Sequence, residues 1–133
     1  MLLGNTENHT DLIKQSIASG QCLVALISNR VVGAGILNYS FYRQGFIGLL
    51  NINPDYRRQG IATALIRRME TLCICNKLFT SSNKSNIPAQ KTYEANGFIR
   101  SGYIENLDED DPEIIYFKPL FKQLPDADTG ARD

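Results

Sequence analysis

The chain has 133 residues, 43% of them hydrophobic and 21% charged, which suits one domain with its own core and excludes a disordered or fibrous chain. No apolar run approaches the ~18 residues of a membrane helix, and the start "MLLGNTENHT" has neither the basic opening nor the apolar stretch of a signal peptide, so a cytoplasmic protein without membrane contact is expected. Net charge is zero, yet residues 1–104 carry 11 Lys/Arg against 5 Asp/Glu and residues 105–133 carry 3 against 9; a basic body with an acidic end suits an anionic ligand and a cationic partner, or two solvated surfaces.

"HTDLIKQSIASG" reads as a short helix over residues 10–19, with Thr10 or Asp11 as its cap and Gly20 as its stop. "QCLVALIS" and "VVGAGILNY" are two strands joined by a tight turn at "NR", residues 29–30. A polar turn around residues 43–45 leads into a third strand, "GFIGLLNIN". A helix follows over about 60–75, its buried stripe marked by Ile61, Leu65, Met69 and Cys73. "KLFTSS" is a short strand. "NIPAQKTYEAN" is a helix capped by Ser85 or Asn86, with Pro88 in its first turn and Gly97 at its end. "FIRSGYIEN" and "EIIYFKPLF" are two strands around an acidic loop, and "KQLPDADTGARD", residues 122–133, is a polar tail.

This order predicts one α/β (α+β) domain over residues 1–121, a mixed sheet with helices on its faces. Gly35 and Gly48 interrupt strands, so a bulge or a close backbone approach is expected at one of them. Three cysteines cannot all pair, and none has zinc spacing; Cys22, Cys73 and Cys75 read as small core residues, and no metal is expected. His9, the only histidine, reads as a surface residue. The basic residues are dispersed and no aromatic platform accompanies them, which argues against nucleic acid as a partner.

The segment carrying most information is "NPDYRRQGIATAL", residues 53–65. The first N–H groups of a helix have no partner inside it, and the helix dipole adds partial positive charge there. Phosphate satisfies both. Gly60 lets the chain turn and approach a ligand closely, Ala62 keeps the first turn slim, and Arg57 and Arg58 can add charge-assisted bonds. The alternative is a plain strand–helix connection with two solvated arginines. No Lys-Ser/Thr follows the glycine and no three-glycine fingerprint is present, which excludes a Walker A loop and a dinucleotide fold. In "NIPAQKTYEANGF", Asn86 and Tyr93 are seven residues apart and share a helix face with Ala89 and Gln90 between them. Such a face can run beside an extended ligand arm, or pack Tyr93 on the sheet.

"LNINPDYRRQGIATAL" resembles the acetyl-CoA signature of the GNAT superfamily of N-acetyltransferases, Arg/Gln-x-x-Gly-x-Gly/Ala, met by Arg57, Gly60 and Ala62. "SNIPAQKTYEANGF" is similar to that superfamily's second motif, and "SGYIENLDEDDPEIIYFK" to the end of a subgroup of small bacterial members of undefined substrate. The resemblance covers roughly residues 10–121. It implies a mostly antiparallel sheet splayed open beside the third strand, with the pantetheine arm in the gap. Backbone groups of Leu50, Asn51 and Ile52 would pair with the arm. Amides from Arg58 through Gln59, Gly60, Ile61, Ala62 and Thr63 would hold the diphosphate of acetyl-CoA, with Arg57 and Arg58 outside it. Asn86 would meet the pantetheine or order nearby backbone, and Tyr93 would stand near the sulfur. Relatives begin with a further strand and helix, so this chain would lack an edge strand and part of its acceptor wall, and a homodimer through the exposed edge is expected.

Transfer to an amine needs a proton for the departing thiolate. A thiol near ~8.5 and a tyrosine near ~10 make Tyr93 a fitting donor. No carboxylate lies on the third strand; Glu105, Asp108, Glu109, Asp110, Asp111 and Glu113, six of the chain's 14 acids, are the remaining candidates, able to attract a cationic amine or to be simply a charged turn. The expected function is acetyl transfer from acetyl-CoA to a small-molecule or peptide amine within a ternary complex, not through Cys73 or Cys75. The alternatives are an acyl-CoA-binding module without catalysis and a structural interaction domain.

Overall fold

A computed structural model describes residues 21–122. The helix expected at 10–19, His9, and the expected tail from residue 123 onward lie outside the described residues. The elements are β1 (Cys22–Ile27), β2 (Arg30–Phe41), β3 (Gln44–Ile52), α1 (Ile61–Leu72), β4 (Lys77–Asn83), α2 (Ile87–Ala95), β5 (Ile99–Ile104) and β6 (Glu113–Pro119). They form one sheet in the order β1-β2-β3-β4-β6-β5. Only the β3–β4 pair is parallel, because α1 carries the chain back across the sheet.

Both hairpin turns sit one or more residues earlier than the composition suggests. Two-residue loops match the strand twist in mirror-image turns, one form of which has positive φ at both residues. Ser28 (φ 52) and Asn29 (φ 64) make the first, and Tyr42 (φ 53) and Arg43 (φ 63) the second. Arg30 and Gln44 therefore open strands rather than sit in turns.

Gly48 and Gly35 have different reasons to be glycine. Ile36 pairs with Leu49 and Leu37 with Ile47, which leaves Gly48 as the extra residue of a bulge. A Cβ on Gly35 would lie 3.0 Å from Met69 Cε, so that glycine lets α1 approach the sheet. The bulge bends β3, and its consequence is the sheet's main feature. β3 and β4 pair only at Gly45–Leu78, Phe46–Phe79 and Ile47–Thr80. Past that point β3 stays with β2 and β4 stays with β6, and a fork opens between them. At the apex the Thr80 hydroxyl donates to Ile47 O at 3.0 Å.

Both helices pack on the same face. Leu65, Ile66, Met69 and Cys73 are buried there beside Leu37, Ile47 and Leu78, and Ile61 is half-buried. Ile66, fully buried, widens the expected four-residue stripe as a core-facing helix requires. Tyr93 of α2 packs on Phe98 and Tyr116, with ring centroids 5.8 and 5.6 Å away. Cys73 is a core residue; Cys75 and Cys22 are half-buried.

α1 ends at Leu72, short of the expected residue 75, because other groups satisfy its last turn. The Lys122 ammonium donates to Glu70 O and to Thr71 O, and Ile74 N–H donates to the Tyr39 hydroxyl at 3.2 Å. Lys122, where the expected tail begins, is thus bonded to the end of α1. Lys118 completes the clamp, donating to Glu70 Oε2 and to Asn96 O, both at 2.8 Å. Lys118→Met strands a mostly buried Glu70 carboxylate and is expected to cost about 2 kcal/mol. Thermal denaturation measures it, and an unchanged midpoint would show the clamp to be solvated.

Candidate functional site

The fork and the N-terminus of α1 meet through one loop. Asn53 starts it, its Oδ1 accepting from Asp55 N–H at 2.9 Å, and Pro54–Tyr56 form a single 3₁₀ turn. Arg58 (φ 63) and Gly60 (φ 81) then reverse the chain into α1. The N-cap is Gly60, which has no side chain to offer, and the first helical bond runs from Ala64 N–H to Gly60 O at 3.0 Å. No acceptor among the described residues meets the N–H groups of residues 58–63. They form a rim of unsatisfied donors at the positive end of a twelve-residue helix. A Cβ on Gly60 would meet nothing within 4 Å, so positive φ, not crowding by the chain, demands glycine there.

A groove of about 780 Å³ runs from this rim along the free edge of β3 and under α2. Of the expected residues, Leu50, Asn51, Ile52, Arg57, Arg58, Gly60, Ile61, Ala62, Thr63, Asn86 and Tyr93 line it, and Gln59 does not. The expected side-chain roles divide further. Arg57 Nε donates to Ile52 O at 3.4 Å, so this arginine ties the end of β3 to the rim and occupies one carbonyl of the free edge. Asn86 caps α2, its Oδ1 accepting from Ala89 N–H at 3.2 Å. Asn86→Ala is expected to cost about 1 kcal/mol through that lost cap, measured by chemical denaturation.

Gln90 turns away from the groove. Its amide donates to Asn83 O at 3.2 Å and to Lys84 O, and its Oε1 accepts from Arg100 at 3.1 Å. The helix face inferred from spacing is therefore split between groove and interior. Three residues emerge that sequence reasoning missed. Asn96 Nδ2 donates to Thr63 Oγ1 at 3.2 Å and locks the end of α2 to the first turn of α1. Lys91 adds a third cation to Arg57 and Arg58. Thr80 stands beside the Tyr93 hydroxyl. Asn96 reads locally as an ordinary helix end, and nothing in the chain order brings Thr80 to Tyr93. No carboxylate lines the groove among the described residues, which suits an anion.

Tyr93 is buried at the apex of the fork. Burial raises its hydroxyl pKa above the ordinary value near 10; the Thr80 hydrogen bond opposes that rise, and the nearby Glu113 and Tyr116 charges add to it. The phenol is thus held in its protonated form at neutral pH.

The acidic loop does more than carry charge. Asp108 accepts from Asn83 Nδ2 at 2.7 Å, and Asp111 accepts from Ser85 N–H at 3.0 Å and Ser85 Oγ at 2.6 Å. Both hold the segment that leads into the Asn86 cap. Glu113 accepts from Ser81 Oγ at 2.7 Å. Among the described residues no three His, Cys, Asp or Glu side chains gather as metal ligands would, and no helix is long and apolar enough to cross a membrane.

The profile of the Acetyltransferase (GNAT) family matches residues 4–98. N-alpha-acetyltransferase 30 of Xenopus laevis is 29% identical over 59% of this chain and 32% of that protein. The chain spans about a third of that relative's length. The crystal structure of a GNAT family acetyltransferase from Bacillus cereus is similar at a TM-score of 0.82 and 38% identity, covering 86% of this chain and 81% of that one. A GNAT family acetyltransferase from Elizabethkingia anophelis, crystallised with acetyl-CoA bound, shares the fold at a TM-score of 0.72 and 18% identity, covering 86% of this chain and 85% of that one. With its forked sheet, its open helix rim and a profile match over most of its length, the chain belongs to the acetyltransferase (GNAT) family.

Proposed function

We propose that the chain is an N-acetyltransferase that moves the acetyl group of acetyl-CoA directly to a primary amine. One observation carries this reading: a donor rim without internal acceptors continues into an unpaired strand edge within a groove that holds cations and no carboxylate. The N–H groups of residues 58–63 take the diphosphate, with Arg58 and Lys91 beside it. The free edge of β3 at Leu50 and Asn51 pairs with the pantetheine amides, and Arg57 fixes where that edge ends. Asn86 orders the α2 entry instead of gripping the ligand. Tyr93 gives its proton to the departing thiolate.

Cysteine chemistry fits less well. Burial raises the Cys73 and Cys22 thiols above their ordinary pKa, which keeps them as thiols, and neither lines the groove. A peptide α-amine is the acceptor class favoured here. Its pKa near ~8 leaves roughly a tenth neutral at pH 7, whereas a lysine amine near ~10.4 leaves well under a thousandth. A groove without a carboxylate base favours the weaker amine, and the name of the Xenopus relative points the same way. Pairing of two copies along β1, the edge strand of the sheet among the described residues, belongs to this proposal, with sedimentation velocity as its check.

The groove's lack of a carboxylate also favours a second reading, a module that binds acyl-CoA without transferring from it. Calorimetric titration with acetyl-CoA, followed by thiol release with an amine panel, separates the two. Binding with thiol release supports transfer, and binding without release supports the module. No binding overturns both.

A further inference from the structure

We propose that Cys73 and Cys75 form a dithiol site that a small-molecule disulfide oxidises reversibly, and that closing the bridge loosens the root of the fork. Neither residue lines the groove, so the site is separate from the one described above.

The chain leaves α1 through Cys-Ile-Cys, residues 73–75. Cys73 is the C-cap and is buried, and Cys75 is half-buried. The Cys73 thiol donates to Cys75 O at 3.6 Å, and the Cys75 thiol donates to Arg43 O at 3.6 Å. The two thiols also lie within hydrogen-bonding reach of each other. Residues two apart on an extended chain are at most about 7 Å apart at Cα, the upper end of what a disulfide spans. Such a bridge closes under strain, and strained disulfides are the readily reduced ones. Reversibility follows from the spacing.

The contacts of the two sulfurs give the bridge its consequence. A Cβ on Gly45 would collide with Cys73 Sγ, so that sulfur lies against β3 where its three pairs with β4 begin. Arg43 belongs to the β2–β3 turn, in which Tyr42 and Arg43 both hold positive φ without being glycine. The Cys75 thiol on Arg43 O and the Ile74 N–H on the Tyr39 hydroxyl tie this hairpin to the end of α1. A Cys73–Cys75 bond removes both S–H donors. It deprives Arg43 O of its proton and draws Cys73 Sγ off Gly45, at the foot of the fork.

The exchange balances. Cys75, the less buried thiol, is the one a small disulfide reaches. Its thiolate attacks one sulfur of that disulfide, and one small thiol leaves with the proton Cys75 gave up. The Cys73 thiolate then attacks Cys75 Sγ, and the second small thiol leaves with the Cys73 proton. Two electrons pass from the protein to the small disulfide, and no other reactant takes part. Burial raises the Cys73 pKa while the Lys122 charge works against that rise, which suits Cys73 to the second step and not the first.

The test equilibrates the folded chain in glutathione and glutathione disulfide at increasing oxidised fractions, followed by alkylation and peptide mapping by mass spectrometry. Wild type is expected to lose the mass of two hydrogens, mapped to residues 73–75, and to regain it with dithiothreitol. Cys73→Ser is expected to stop at a glutathione adduct on Cys75, and Cys22→Ser to behave as wild type. In the oxidised protein the amides of residues 45–47 are expected to exchange hydrogen at least about tenfold faster than in the reduced protein. Both thiols free at every oxidised fraction, or Cys75 bridged to a second copy, overturns the inference. So does an oxidised form whose exchange at residues 45–47 is unchanged. Should Cys73→Ser fail to fold, the wild-type map and exchange decide by themselves. None of these measurements involves acetyl-CoA, so their failure leaves the transferase reading standing.

Discussion

Tyr93→Phe is expected to lower kcat at least about a hundredfold while acetyl-CoA affinity stays within twofold. The phenol sits at the apex of the fork, beside the Thr80 hydroxyl, whose own proton is donated to Ile47 O. Burial raises the phenol's pKa above the ordinary value, against the opposing effect of Thr80, and so keeps it protonated. The ring itself packs on Phe98 and Tyr116, and phenylalanine keeps that packing.

The raised pKa also ties folding to pH. The folded state favours the neutral phenol, so its stabilising contribution is fully present below pH ~10. It is lost as pH rises from there through the higher folded value. Tyr93→Phe removes that dependence. Steady-state kinetics and alkaline denaturation measure the two effects separately. A variant with full turnover and bound acetyl-CoA would assign proton donation to another group or to water.

Gly60→Ala is expected to weaken acetyl-CoA binding at least about thirtyfold. The residue has φ 81, where a Cβ costs roughly 1–2 kcal/mol, equivalent to about five- to thirtyfold in affinity if it misaims the rim. The added methyl meets no atom of the chain within 4 Å, so it projects into the space assigned to the diphosphate and adds a steric loss. Gly102→Ala is the control. Its φ is 103 and its Cβ would also meet nothing, but it lies in the β5 bulge and not in the groove. Both variants should lose comparable thermal stability, while calorimetry shows weakened binding in Gly60→Ala only. Equal affinity in both would remove the rim from the account.

The parts of this site legible in sequence are those fixed by neighbours in the chain. Gly60 ahead of an apolar helix predicts an open N-terminus, because a glycine cap cannot fill it. Asn86 and Pro88 predict the start of α2, and a glycine within a strand predicts a bulge, found at Gly48. What stayed hidden depends on partners far apart in sequence. The bond from Arg57 Nε to Ile52 O is one contact that spacing does not give. Gln90 shares spacing with Asn86 and Tyr93, but the buried carbonyls of Asn83 and Lys84 hold it away. The acidic stretch looks uniform, although three of its members accept from Ser81, Asn83 and Ser85, more than 20 residues upstream. The insertion of β6 between β4 and β5 is equally silent in local pattern, and it is what brings Glu113 to Ser81.

The most direct measurement of the central claim is a titration of the ¹⁵N-labelled protein with coenzyme A, followed through its backbone amide resonances. The largest displacements are expected on the amides of residues 58–63, with a second group at Leu50 and Asn51. Saturable binding that leaves those amides unmoved, or displacements centred elsewhere on the sheet, would contradict it.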